Sequence, residues 1–190
     1  MFSIIYLLQN ILFILIIIGV LRLIFGKAIR EYHSNWSTLI DGFKYSSEDF
    51  YDKVKKELLS KEIQGISTTY IYRNIGGLTS GQRKYLRVMW KEYEYDICAS
   101  PFGTGFFISW WLLTKDSLAN RLIKRIPFVG NFLADKLYPK TYYKIDTASM
   151  FMTYANATVQ KIIKDIMNEK GVRALTELEK QPVLNNIFKR

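Results

Sequence analysis

One histidine, His33, and one cysteine, Cys98, are the chain's whole supply of those two residue types. A zinc site built on Cys and His spacing is therefore excluded, and so is an intrachain disulfide framework. A nucleophilic Cys–His pair would need His33 and Cys98 to meet from distant stretches, so Cys98 reads as a small buried hydrophobe. The glycine motifs also fall short. Gly76-x4-Gly81 continues into Gln82-Arg83, without the Lys and Ser/Thr of a phosphate loop. It also leads into a strand, where a phosphate loop needs a helix N-terminus. Gly103-Thr104-Gly105 has Ile108 where a dinucleotide fingerprint needs its third glycine. With no catalytic or cofactor signature in hand, the chain reads as non-enzymatic and cofactor-free.

Charge is missing from the first 25 residues, where Arg22 is the only charged side chain. About 20 apolar residues suffice to cross a bilayer as a helix. Residues 1–25 therefore read as a transmembrane anchor. A cleaved signal peptide would need a basic start and a small-residue cleavage site. No Lys or Arg precedes the apolar run, and Val20-Leu21-Arg22 makes a poor site. Arg22, Lys27 and Arg30 cluster after the span, so the positive-inside rule puts the N-terminus outside and the rest in the cytoplasm. Gln9 and Asn10 interrupt the run near its outer end. They offer a helix-association surface worth about 0.6–2 kcal/mol, or they simply reach headgroups.

The rest of the chain is rich where a folded domain should be rich. Hydrophobic residues make up 49% of the sequence and aromatics 15%, which argues against disorder. Formal charge is +10 overall. Such a balance suits anionic lipid first, with nucleic acid or a nucleotide as lesser candidates. Juxtamembrane basic residues contribute about 1 kcal/mol each at an anionic leaflet.

Ile29, Tyr32, Trp36, Leu39, Ile40 and Phe43 fall three or four apart. That spacing predicts a juxtamembrane amphipathic helix over 26–45. Residues 46–190 then form a basic α+β domain. Ser46 caps a helix whose face is Phe50, Val54 and Leu58. Strands are expected over 66–72, 85–90, 93–99 and 106–113, with a short fifth over 142–145. Two short amphipathic helices occupy 116–138, with a break at Pro127. A long helix runs from about 147 to 170, with Ala148, Met152, Ala155, Val159, Ile162 and Ile166 on one face. A last short helix is expected over 173–180. The predicted architecture is an antiparallel sheet of four to five strands with helices packed on it.

Three sets of residues stand out as contact surfaces. Residues 115–144 carry seven basic side chains against two acidic ones. Arg121, Lys124 and Arg125 with Phe128 and Phe132 make a basic amphipathic pair suited to a membrane or partner. Trp110 and Trp111 are adjacent on a strand, so only one can enter a given core layer and the other is available for contact. Arg73, Arg83, Lys84 and Arg87 flank the glycine loop and offer an anion contact, against a solvated hairpin tip as the plainer reading. Glu92, Glu94 and Asp96 share one face if extended, and read as balancing Arg and Lys on neighbouring strands. The expected function is a membrane-anchored, self-associating binding or scaffold module, as a homo-oligomer or membrane complex. The rival is a ligand- or partner-triggered membrane-perturbing effector, for example in bacterial antiviral defence.

Overall fold

Residues 93–99 and 106–112 are extended, so successive side chains leave each strand on opposite faces, and in 93–99 both faces are buried. The computed structural model describes residues 2–25, 30–74, 81–139 and 141–184, with side chains in the first helix described at Tyr6 and from Leu8 to Gly19. Among them are five helices and six strands. In order they are α1 (Phe2–Phe25), β1 (Arg30–Ile40), α2 (Ser47–Leu59), β2 (Ser67–Asn74), β3 (Gln82–Trp90) and β4 (Tyr93–Phe102). Then come β5 (Gly105–Lys115), α3 (Leu118–Lys124), α4 (Gly130–Leu137), α5 (Tyr142–Glu169) and β6 (Val183–Leu184). The glycine loop 76–80, the side chains of Arg22 and Lys27, and the tail Phe188–Arg190 lie outside the described residues. Two compact units result: a helical unit of Met1–Ile29 with Asp116–Pro139, and a sheet unit of Arg30–Lys115 with Lys140–Arg190.

The sheet unit is α+β. Its strands run in the order β2-β3-β4-β5-β1-β6, antiparallel throughout. One face carries Leu86, Val88, Tyr95, Ile97, Ile108, Trp110 and Leu112, and packs with α2 and α5 into a single core. Ser46 caps α2 by accepting from the Asp49 amide, and Phe50, Val54 and Leu58 are buried as their spacing requires. Tyr51 ties α2 to the sheet, its hydroxyl accepting from the Ala99 amide at 2.9 Å and donating to the Lys84 carbonyl at 3.0 Å. Gly105 lets β1 close on the β4–β5 hairpin, because a Cβ there would lie 2.7 Å from the Ile40 carbonyl oxygen.

Three predicted elements are corrected. The stretch expected as a juxtamembrane amphipathic helix is strand β1 from Arg30 to Ile40. A bulge between Tyr32 and Ser34 shifts its register, so Tyr32 shares a face with Leu113 while Ser34 and Trp36 face the core. That slip hides the two-residue period and mimics a helical one. Ser34, Asn35, Ser37 and Thr38 also favour a helix poorly. Residues 142–145 are the first turn of α5, not a strand: Thr141 caps it by accepting from the Lys144 amide. Residues 173–180 form no helix. They turn around Glu179, which accepts from the Thr176 amide at 2.7 Å and from Arg173 at 3.0 Å. The chain then adds β6 to the edge of β1.

The Glu179 turn titrates. The Thr176 amide, then Arg173 and the Thr176 hydroxyl, hold its carboxyl at about 2 instead of 4.5. A depressed carboxyl stabilises the fold above its unfolded pKa and loses that contribution as pH falls through the folded one. The turn should thus be unaffected from pH 7 to 5 and should loosen between 4.5 and 2. The Thr176 amide resonance should follow with a midpoint near 2; a midpoint near 4.5 would refute the turn.

The helical unit has a different interior. Asp116 is buried and accepts from Asn120 at 2.9 Å and Lys124 at 2.8 Å. Ser117 caps α3. Helices α3 and α4 meet closely at Gly130, where a Cβ would collide with the Ile123 carbonyl oxygen. Among the described residues no helix is long and apolar enough to cross a membrane.

Candidate functional site

Helices are amphipathic so that one face can be buried, yet in α3 and α4 the buried positions are Arg121, Gly130 and Ala134. Most of the apolar residues point outward, with Ile123 and Leu133 half-buried. Leu118, Leu122, Ile126, Val129, Phe132 and Leu137 are all exposed, and Phe128 at the tip is completely so. Phe128 follows Pro127 with a φ of 67°, a left-handed conformation that is unfavourable for a bulky side chain. The hairpin thus holds an aromatic ring outward at a local cost of about 1–3 kcal/mol. The same habit continues along α1, where Leu8 and Ile11 to Ile18 are 41–63% exposed. Gln9 and Asn10 are exposed there too.

The expected basic face is rearranged. Arg121 is only 6% exposed and belongs to the interior of the unit. Lys124 pairs with Asp116 at 2.8 Å. Arg125 and Lys136 are exposed beside the apolar positions, and the Lys136 ammonium lies 5.4 Å from the Phe132 ring centre. The hairpin surface is therefore apolar with a basic fringe, where a basic face with apolar anchors was expected.

The two tryptophans separate as alternation requires. Trp110 is fully buried, stacks on Tyr95 at 4.8 Å and donates to Asn156 Oδ1 at 3.0 Å. It is a core residue and is removed from the contact set. Trp111 lies on the opposite face, 40% exposed, against Tyr32 at 5.1 Å.

That opposite face carries a chain of alternating charges. Arg30 donates to Glu94 at 2.6 Å. Arg87 bridges Glu94 at 2.9 Å and Asp96 at 2.6 and 2.7 Å. Arg73 reaches Asp96 at 3.1 Å. Burial opposes the charged form of Arg87, and the hydrogen bonds and attraction from Asp96, then the attraction of Glu94, more than reverse that effect and raise its pKa. The sequence places Glu94 and Asp96 on one face correctly, but both are buried and no solvent strip forms. Of the four residues expected to contact an anion, three share this face and one does not. Arg73 and Arg87 are engaged by carboxylates, Arg83 is exposed on the same face, and Lys84 projects to the other face, where it pairs with Glu48 at 2.7 Å.

Other chemistry-bearing groups are quiet. Burial pushes the Cys98 thiol up, which keeps it protonated. His33 is buried with Nε2 against the Thr114 hydroxyl. Among the described residues no group of His, Cys, Asp and Glu is placed to hold a metal. A cavity of about 140 Å³ in the sheet unit is lined by Ile63, Ile66, Trp90, Met150, Phe151 and Tyr154, without a charged group. Comparison with protein families, curated proteins and solved structures finds no match to this chain.

Proposed function

We propose that this chain is a membrane-anchored, non-enzymatic binding module that self-associates, with a single N-terminal span, its N-terminus outside and its sheet unit in the cytoplasm. The observation that carries this reading is the inverted helical unit: polar and small residues inside, large apolar ones outside on the hairpin and on α1. Contiguous exposed apolar surface of this kind calls for lipid or a partner. The span is read from the sequence, where the first 25 residues carry one charged side chain and about 20 apolar residues suffice to cross a bilayer as a helix. Lipid contact by Phe128 and Phe132 is worth about 1.5–3 kcal/mol each. Arg125 and Lys136 suit anionic headgroups, at about 1 kcal/mol each.

Two measurements test it. Carbonate washing should leave the chain in the membrane pellet; release would remove the anchor. In reconstituted full-length protein, spin labels on Phe128→Cys and Phe132→Cys should relax with oxygen and be shielded from a water-soluble nickel chelate. Labels open to nickel would remove the hairpin from the bilayer. The effector reading uses the same exposed hairpin, and overproduction separates the two: loss of membrane potential favours the effector, an intact potential the binding module.

A further inference from the structure

The two edges of the sheet are treated differently. Beyond β1 the edge is occupied at Ser34 and Asn35, which pair with Leu184 and Val183. Ser34 Oγ donates to the Val183 carbonyl, and Trp36 Nε1 to that of Glu179. At the other end β2 closes the strand order, and among the described residues nothing pairs with its outer side. A bare edge is a row of unpaired amides and carbonyls, which proteins usually spoil with a proline, a bulge, a lysine or a very short strand. Strand β2 uses none of these. It runs in unbroken register with β3 from Ser67 opposite Met89 to Asn74 opposite Gln82. Thr68-Thr69-Tyr70-Ile71-Tyr72 is an uninterrupted run of strand-favouring residues. Its one charge, Arg73, is drawn to Asp96 on the sheet face and does not guard the edge.

We infer that β2 is the surface on which a second copy of this chain docks, the two β2 strands pairing antiparallel about a two-fold axis to join two sheets into one. A two-fold interface sets the same strand against itself, so the strand must be self-complementary. Opposed residues share a sheet face, so the axis falls on a residue, at Tyr70 or Ile71. With the axis at Tyr70, Tyr70 meets itself, Thr69 meets Ile71, Thr68 meets Tyr72 and Ser67 meets Arg73; with the axis at Ile71, Ile71 meets itself, Tyr70 meets Tyr72, Thr69 meets Arg73 and Thr68 meets Asn74, so Arg73 never meets another Arg73. Anchoring raises the encounter frequency, because tethered copies share one surface. The inference rests on the self-association proposed above and names the surface it uses.

The test uses the full chain in mild detergent, with sedimentation equilibrium and hydrogen exchange. Two chains per particle are expected, with consecutive β2 amides protected. Thr69→Lys with Tyr72→Lys places charges at two positions exposed in the single chain. It should weaken association at least 100-fold and leave alternate β2 amides exchanging at loop rates. If that variant unfolds, a cysteine scan over 69–72 in a Cys98→Ser background decides. Crosslinking should peak at one position, 70 or 71, where the strand meets itself. Freely exchanging alternate amides in the unaltered chain, or even crosslinking along the strand, overturns the proposal. An oligomer indifferent to the lysines overturns the edge and keeps self-association; a single-chain particle overturns both.

Discussion

Replacing Asp96 with alanine should cost the sheet unit about 3–5 kcal/mol, the usual penalty for stranding a buried charge. Asp96 and Arg87 side chains are each 6% exposed, and the guanidinium holds both carboxylate oxygens. Removing the carboxylate leaves Arg87 with Glu94 alone, and Glu94 is already shared with Arg30. Removing both partners is a different experiment. Arg87→Met with Asp96→Leu fills the volume without a charge and should be far milder, because a buried pair costs desolvation that apolar residues do not. Arg73→Ala should cost under about 1 kcal/mol, since that side chain is 43% exposed and water screens it. Urea unfolding of the full chain, followed by tryptophan fluorescence, gives all three values. A loss below 1 kcal/mol for Asp96→Ala would show that the alternating chain of charges is only decoration on the sheet.

The second large effect belongs to Trp110. Trp110→Ala should cost about 3–5 kcal/mol, as large-to-small changes of buried aromatics do. Among the described residues the indole is the largest fully buried side chain, and it stacks on Tyr95 and satisfies Asn156 through its ring nitrogen. Its neighbour sets the scale. Trp111→Ala removes a ring that is 40% exposed and touches Tyr32, and should cost about 1 kcal/mol, the worth of one aromatic pair. Equal losses at the two positions would mean that the face assignment of β5 is wrong by one residue.

This pair shows where the sequence is informative. Alternation establishes that Trp110 and Trp111 part company, but not which one enters the core. The meander β3–β4–β5, the Ser46 cap and the apolar stripe of α5 are local patterns, and local patterns can be read along the chain. Strand β1 escapes because a bulge at Tyr32 and Ser34 breaks its period, and its partners lie far along the chain on β5. The carboxylates of β4 were placed on one face by spacing, but their burial depends on Arg30, Arg73 and Arg87 arriving from three other strands. The hairpin was legible as two helices broken at Pro127. Which side faces inward was not, because Asp116, Asn120 and Gly130 override the stripe of Leu118 and Leu122. The exposed left-handed Phe128 has a faint signal, an aromatic directly after the proline that separates two short helices.

The position of β1 also sets an order of assembly. Its first partner, β5, ends only at Lys115, and its second contact, Val183 with Ser34, closes a separation of 149 residues. Contacts of such range form late, since the chain must give up loop freedom before they reward it. The β3–β4–β5 meander is local and can condense as soon as it leaves the ribosome. During synthesis, then, the meander forms beside an unfilled β5 edge, and β1 waits to occupy that edge. Strand β6 seals β1 only after Val183 and Leu184 have been made. The strand next in sequence to the helix α1 is thus among the last to be secured, and β5 is the edge most in need of protection while the protein is being born.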